Sequence, residues 1–526
     1  MRLLYNAQIY TQNQAQPHAT ALVTDAGNIS DIGDTEDLLA RYPNAEKDDL
    51  DGRFVLPGLT DAHLHLQHYS LSLQKIDCET DTKALCLERV AERVSQSKPG
   101  EWILGHGWNQ NVWGDWPTAS ELDALAPDNP VYLTAKSLHA AWANSAALKA
   151  ANVNHQTADP PNGKIQRDEA GAATGILLET AMEVVGEAIP TATQAEIATA
   201  MEQAQLILWK MGLTGVHDFD RRESFMALQQ LHREGRLKLR ILKNIPMELL
   251  NEAFALGLQG GFGDDWLRIG NVKVFMDGAL GPHTAAMFQP YLGEDENRGI
   301  LNMDGEELFE HGRKAAQVGL GMTVHAIGDR ANHEVLNAYQ QLRTYEREHG
   351  LPEMRHRIEH VQIVHPEDAA RLGELNVIAS MQPIHATSDM LMADQYWGER
   401  ARLAYAIRTQ LEHGAPLAFG SDAPVESPNP FWGLHAAVTR RRADDSPGEE
   451  GWYPEQRLTM AEALAGYTSG PAYAAYMEDR LGQLAPQYLA DLIVLDKDIF
   501  SCNPNDLLTL ESSATMIGGN WVWKSF

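Results

Sequence analysis

Seven short apolar runs between positions 206 and 422, each with a polar residue at or beside its end, set the strongest limit on how this chain can fold. They cover 213–219, 239–245, 269–277, 321–328, 356–362, 377–382 and 415–422, and stretches of helical composition separate them. An earlier run at 54–65 makes an eighth. Eight β units with intervening helices, closing into one parallel sheet, predict an α/β fold built as a (β/α)8 TIM barrel. The alternative, a doubly wound open sheet, would carry a glycine-rich nucleotide loop after its first strand, and that loop is missing.

The first crossover is too long for a barrel helix alone. Residues 71–190 read as an inserted α+β subdomain after strand one, with Trp102, Trp108, Trp113 and Trp116 and a strand-like stretch at 130–135. Residues 191–212 then read as an amphipathic helix that returns to the barrel and stops at Gly212. The barrel itself is expected from 57–70 and 191–479. Short strands at 3–10, 21–25, 28–32 and 54–56, and again at 490–496 and 514–526, mark both ends as β-rich. They are expected to pair in one sheet, giving a small β-sandwich domain of 1–56 and 480–526. A polar segment at 440–456 follows the last barrel strand, where it reads as a solvated face or a lid over the rim.

Composition excludes several classes. The chain has 526 residues and a net charge of −30, from 42 Lys and Arg against 72 Asp and Glu. So acidic a surface repels phosphate backbones, which argues against nucleic acid as a partner. The cysteines, Cys78, Cys86 and Cys502, are too sparse for a disulfide framework and fit a reducing compartment. Residues 1–10 alternate like a strand and lack the apolar core of a signal peptide. No run of about twenty apolar residues offers a membrane span. A cytoplasmic protein acting on a small molecule is the expectation.

The chemistry gathers at strand ends. The first run closes on Thr60-Asp61-Ala62-His63-Leu64-His65. Alternation along a strand sends His63 and His65 to one face, where two imidazoles can close on one metal ion. A barrel brings the C-terminal ends of its strands to one rim, so distant residues can join them there. Lys273, His325, His360 and Asp422 end later runs, as does His217. Several histidines and an aspartate in such positions point to metal binding. The sequence His356-Arg-Ile-Glu-His360 also matches a helical metalloprotease pattern, but here it lies in a strand-like run. No nucleophile elbow or phosphate loop occurs.

These motifs resemble the amidohydrolase superfamily, specifically its YtcJ-like branch, which includes N-substituted formamide deformylases. The resemblance runs over essentially the whole chain. It rests on Pro57-Gly-Leu-Thr-Asp-Ala-His63-Leu-His65, Val272-Lys273-Val-Phe-Met-Asp277-Gly, Val324-His325-Ala-Ile-Gly-Asp329, Arg357-Ile-Glu-His360 and Gly420-Ser-Asp422-Ala-Pro. Ser137-Leu-His139-Ala-Ala-Trp-Ala-Asn144 and the terminal Ala490-Asp491-Leu-Ile-Val-Leu add to it.

The resemblance implies two divalent ions, zinc or else manganese, iron or cobalt. His63, His65 and Asp422 would hold the first, with His325 and His360 on the second. Lys273, carboxylated by carbon dioxide, would bridge them as a carbamate. The lesser alternative for Lys273 is a neutralising cation in a one-metal site. The implied reaction is hydrolysis of a non-peptide carbon–nitrogen bond by a metal-bound hydroxide, with Asp422 carrying the proton. The substrate would be an amide, an N-formyl amine or a cyclic amide. A one-metal heterocycle deaminase is the competing enzyme reading, and a metal-free interaction module is the competing reading outside enzymes. Family analogy also suggests a homodimer.

Substrate contacts are expected from His217, Asp277, His283, Trp108 and His139. His283 departs from the family, where arginine is frequent at that position. Trp108 and His139 fit ordinary core packing of the insertion as readily as a pocket wall.

Overall fold

The computed structural model describes residues 1–137 and 139–526. These fall into two compact units, one of Met1–Tyr69 with Met201–Phe526 and one of Ser70–Ala200. In the first unit eight strands form one sheet in chain order. They are β1 (Leu59–Leu64), β2 (Leu213–Asp218), β3 (Arg240–Pro246), β4 (Leu267–Phe275), β5 (Met322–Ala326), β6 (Arg357–His360), β7 (Ile378–Met381) and β8 (Leu417–Phe419). Every neighbouring pair is parallel.

Closure between β8 and β1 is made just past the strand ends. Asp422 N donates to the His63 carbonyl at 2.7 Å, and His65 N donates to the Ala423 carbonyl at 2.9 Å. The barrel therefore shuts on the very residues that carry candidate metal donors. Strands covered on both faces have no polar side, which is why β2 is buried at all six positions.

The helices between strands are amphipathic. Gly305–Ala316 starts at the Asp304 cap, whose side chain accepts from Glu307 N, and buries Leu308, Gly312, Ala315 and Ala316. Gly312 lets it approach the next helix, since a Cβ there would meet Leu342 Cδ1 at 2.4 Å.

The apolar run at 54–65 is two strands, not one. Phe54–Pro57 belongs to a different sheet, and the chain turns at Gly58 before β1. A side chain at Gly58 would strike Thr214 at 2.4 Å, so the sharp change of sheet needs glycine. Both strands are buried, which made one continuous apolar segment of them in the sequence.

The two ends of the chain meet in a six-stranded sheet, where Phe54–Pro57 pairs antiparallel with Leu492–Leu495. The single sheet expected from the sequence is joined by a second. Asn28–Gly33, Ala21–Asp25, Arg2–Tyr5 and Glu46–Asp49 make a separate four-stranded sheet. Leu4, Leu22 and Ile29 from it pack with Val55, Leu492 and Met516 in one core, so the arrangement is a sandwich.

The second unit carries a six-stranded mixed sheet with Val131–Ala135 and Ala140–Ala143 at its centre and Ile103–Trp108 parallel beside the first. Cys78, Cys86, Trp108 and Trp142 fill its core. All three cysteines are free. Among the described residues no helix is long and apolar enough to cross a membrane. The 440–456 segment is pinned at both ends. Arg440 is fully buried and donates to the Tyr405 and Trp452 carbonyls, and Trp452 is itself buried.

Candidate metal centre

At the junction of β1 and β8 the His63 and His65 Nε2 atoms each lie 3.4 Å from Asp422 Oδ1. Donors about 2.1 Å from a tetrahedral ion stand about 3.4 Å from one another, so this spacing is that of a ligand set. The second ring nitrogens are fixed from behind. His63 Nδ1 meets Glu359 Oε2 at 2.6 Å, and His65 Nδ1 meets Asp220 Oδ1 at 3.1 Å. A carboxylate on Nδ1 holds the proton there and presents the Nε2 lone pair, the arrangement that orients metal-binding histidines.

Burial keeps His63 neutral, with its pKa lowered to about 4, helped by the positive charge of Lys273. Burial opposes ionisation of Asp422, but His63 and His65 outweigh it and hold the carboxyl well below the usual carboxylate range.

Local structure explains how these groups face one another. Asp61 is buried and accepts from His63 N at 3.0 Å, Ser421 N at 3.1 Å and Ser421 Oγ at 2.5 Å. It thereby ties the end of β1 to the loop that carries Asp422. Asp422 itself sits at φ 61, a region that costs a non-glycine residue energy and is kept where the surroundings enforce it. Gly420 leaves room for this contact: a Cβ there would lie 2.4 Å from His63 N and 2.9 Å from His63 Cβ. Gly420→Ala is expected to destabilise the protein by about 1–3 kcal/mol through overpacking. The same shift moves His63, so zinc titration of the variant should show weaker binding, and unchanged melting and titration would contradict the argument.

β6 contributes two kinds of residue. Arg357 and Glu359 are fully buried, with Arg357 Nε donating to Glu359 Oε1 at 2.9 Å. Alternation would send His360 to the opposite face. His360 and Val361, at φ 76 and 46, break the pleat there. The His360 ring consequently lies 5.0 Å from that of His63 and 4.5 Å from that of His325.

His325, at the end of β5, points its Nε2 at the Gly278 carbonyl, 2.9 Å away. Lys273 on β4 is buried, with Nζ 4.8 Å from the Phe219 ring and 4.7 Å from the Phe275 ring. No hydrogen bond to that Nζ is found among the described residues. Burial lowers its pKa to about 8.

The residues expected at substrate are placed more variously. His217 is buried, and its Nδ1 accepts from Arg357 Nη1 at 2.9 Å. Burial and the adjacent guanidinium hold its pKa well below the ordinary histidine value, so it is a neutral acceptor. Asp277 accepts from Ala286 N, Ile327 N and Gly328 N at 2.8, 3.0 and 2.8 Å. Its two oxygens are thereby committed to joining the β4 loop to the end of β5.

His283 bonds to Glu294 at 2.5 Å and packs on Tyr291 of its own loop and on Tyr396 of the helix Pro383–Trp397. Trp108 is fully buried and donates to the Leu133 carbonyl inside the core of the second unit, and it also borders a cavity of about 230 Å³ there with Asn109, Gln110 and Lys136. His139 is exposed and pairs with Glu179 at 2.9 Å. It lines a surface cavity of about 460 Å³ in that unit, with Gln110, Trp116 and Lys164.

Sequence reasoning passed over Glu359, Asp220, Asp61 and His385. The first three were legible as charges placed inside or directly after apolar runs. His385, in the first turn of helix Pro383–Trp397, carried no such mark.

Known proteins match this architecture along its length. A model described as the amidohydrolase family covers residues 48–523. The putative amidohydrolase YtcJ of Bacillus subtilis is 32% identical over 98% of this chain and 98% of its own. The N-substituted formamide deformylase of Arthrobacter pascens is 27% identical over 98% and 97%. Among solved structures, an uncharacterized metal-dependent hydrolase from Pyrococcus furiosus superposes with a TM-score of 0.78 at 32% identity, covering 95% of this chain and 100% of that one. A barrel that closes on a His–His–Asp donor set and a family match spanning nearly every residue lead to one conclusion: the chain belongs to the amidohydrolase family.

Proposed function

We propose that this protein hydrolyses a non-peptide carbon–nitrogen bond, in an amide, an N-formyl amine or a cyclic amide, with His63, His65 and Asp422 holding a divalent ion. The observation that carries this reading is the convergence of both Nε2 atoms on Asp422 Oδ1 at 3.4 Å while carboxylates occupy both Nδ1 positions. The family match and the formamide deformylase relative support the bond type. Imidazole and carboxylate donors suit zinc, manganese, iron or cobalt. When bound, such an ion polarises a carbonyl and makes water acidic enough to attack it near neutral pH.

The chain's own residues divide the remaining work. Asp422, an anion throughout the working range, accepts the proton of the attacking water as its oxygen bonds the acyl carbon. It returns that proton to the nitrogen as the carbon–nitrogen bond breaks, which leaves a carboxylic acid and an amine. Glu359 and Asp220 keep His63 and His65 in the tautomer that faces the centre. Lys273, buried and without a hydrogen bond among the described residues, reaches its neutral amine more readily than an ordinary lysine. A neutral amine is the form that adds carbon dioxide, so we assign Lys273 as the carbamate.

Three measurements test the reading. Chelation should abolish turnover of a panel of N-substituted formamides, simple amides and cyclic amides, and divalent metal should restore it. Restoration should be faster with added bicarbonate if Lys273 is carboxylated. Amine and acid should appear in equal amounts; ammonia released from heterocycles alone, or turnover that survives chelation, would sink the proposal.

A further inference from the structure

Two side chains on the turn after β7 carry buried polar atoms that bond to nothing in the chain. Gln382 is 3% exposed and His385 5%, and among the described residues neither Gln382 Nε2 nor His385 Nε2 has a hydrogen-bond partner. Such atoms are costly unless something outside the chain pairs with them.

The local sequence turns both groups toward the metal centre. Ser380 and Gln382 are two positions apart on an extended segment, so they share a face, and Ser380 Oγ already accepts from Arg357 inside the barrel. Gln382 accordingly reaches His360: its Oε1 lies 2.8 Å from His360 Nδ1, which leaves the amide nitrogen and its two protons uncommitted. Pro383 then opens the helix Pro383–Trp397, and His385 N donates to the Gln382 carbonyl at 3.1 Å, fixing the imidazole in the first turn. The His385 ring runs parallel to that of His360 at 6.2 Å, and one of its nitrogens lies within 4.8 Å of an Asp422 carboxylate oxygen.

Asp422 is the group that returns a proton to the leaving nitrogen. That nitrogen must therefore come within hydrogen-bond reach of Asp422, which places it beside His385. We propose that the β7 turn reads the –CO–NH– unit of a secondary amide. Gln382 Nε2 donates to the acyl oxygen, and His385 Nε2, with the ring proton on Nδ1, accepts from the substrate N–H. His385 transfers no proton; it holds the nitrogen so that the lone pair formed in the tetrahedral intermediate faces Asp422.

The inference rests on the hydrolase reading and narrows its substrates to amides, open-chain or cyclic, that keep a proton on nitrogen. An ester or a fully N-substituted amide would leave His385 Nε2 unpaired, and a site built to bond an N–H discriminates against a substrate that lacks it.

The test compares the best-cut secondary amide of the panel with the ester that has oxygen in place of its N–H, a pair of nearly equal size. His385→Leu should lower kcat/KM for the amide about 10–100-fold and leave the ester within about threefold, measured as kcat/KM or, where the ester is not cut, as its inhibition constant. Gln382→Glu keeps an oxygen for His360 Nδ1 but offers no N–H, so it should weaken amide and ester alike by at least about 10-fold. Bound metal and melting temperature near the wild-type values show that the centre and the fold are intact.

Equal losses on amide and ester in His385→Leu, or no loss on either, overturn the proposal. Wild type that cuts nothing on the panel sinks the hydrolase reading instead. Calorimetric binding of the same compounds to the metal-loaded proteins then decides the contact. Amide bound more tightly than ester in wild type but not in His385→Leu supports it, and no difference between the two proteins overturns it.

Discussion

Asp422→Asn lowers kcat by about 10²–10⁴-fold at saturating metal, the range that general acid–base catalysis contributes. The size of the effect separates two roles that one carboxylate combines. As a ligand, Asp422 lies 3.4 Å from both His63 Nε2 and His65 Nε2, and an amide of the same shape still offers one oxygen to that position. Loss of ligand strength therefore appears as a demand for more metal and is recovered when metal is raised.

Loss of the proton carrier is not recovered. An amide cannot take a proton from water or deliver one to a leaving nitrogen, and about 3–5.5 kcal/mol of barrier remains at any metal concentration. KM should change far less than kcat, because the lost interaction belongs to proton transfer and not to ground-state binding. Steady-state kinetics with the bound metal measured in the same samples decides the matter. An Asp422→Asn protein with full metal and wild-type turnover would remove the proton role.

The parts of this site that the sequence made legible are those a strand end announces. His63, His65, Lys273, His325, His360 and Asp422 each follow an apolar run, and barrel geometry alone carries them to one rim. The eight strands were visible for the same reason, since burial on both faces leaves an unbroken apolar segment.

What the sequence hid depends on partners far along the chain. Nothing local to Arg357 and Glu359 shows that they find His217 and His63, 140 and 296 positions away. The break at Gly58 was invisible because Phe54–Pro57 and β1 are both buried, in different sheets. A buried tryptophan and a lining one read alike in sequence, and Trp108 turns out to be both, bonded to Leu133 in the core and bordering a cavity of about 230 Å³. His283 was equally unmarked, since its partner Glu294 lies in a loop with no periodicity to mark it.

Arg357→Leu should be the most destabilising single change in the barrel. Arg357 and Glu359 are both fully buried, and removing one member of such a pair leaves the other charge uncompensated, at a cost of about 3–5 kcal/mol. The guanidinium also donates to the Ala62 carbonyl and to Ser380 Oγ, each at 2.8 Å, and to His217, so three further groups lose a partner. The apoprotein melting temperature should fall by several degrees.

A pH signature accompanies the loss. In the wild type burial works against ionisation of Glu359, but Arg357 and His63 override it and hold the pKa well below the ordinary glutamate value. Its stabilising contribution is therefore present at neutral pH and lost only as pH falls through that low value. Without Arg357 the folded pKa rises, since only His63 and Lys273 still oppose burial, so this contribution shrinks and the variant falls further below the wild type as pH rises from acid to neutral. The variant should stand closest to wild type near pH 5 and furthest from it near pH 8.

Replacing both residues by leucine separates stability from function. Hydrophobic replacement of a whole buried pair is often neutral, so most of the melting temperature should return. His63 Nδ1 then has no carboxylate at 2.6 Å, and metal affinity at the first position should remain about 10–100-fold down. A double variant that recovers affinity together with stability would show that Glu359 serves only the fold.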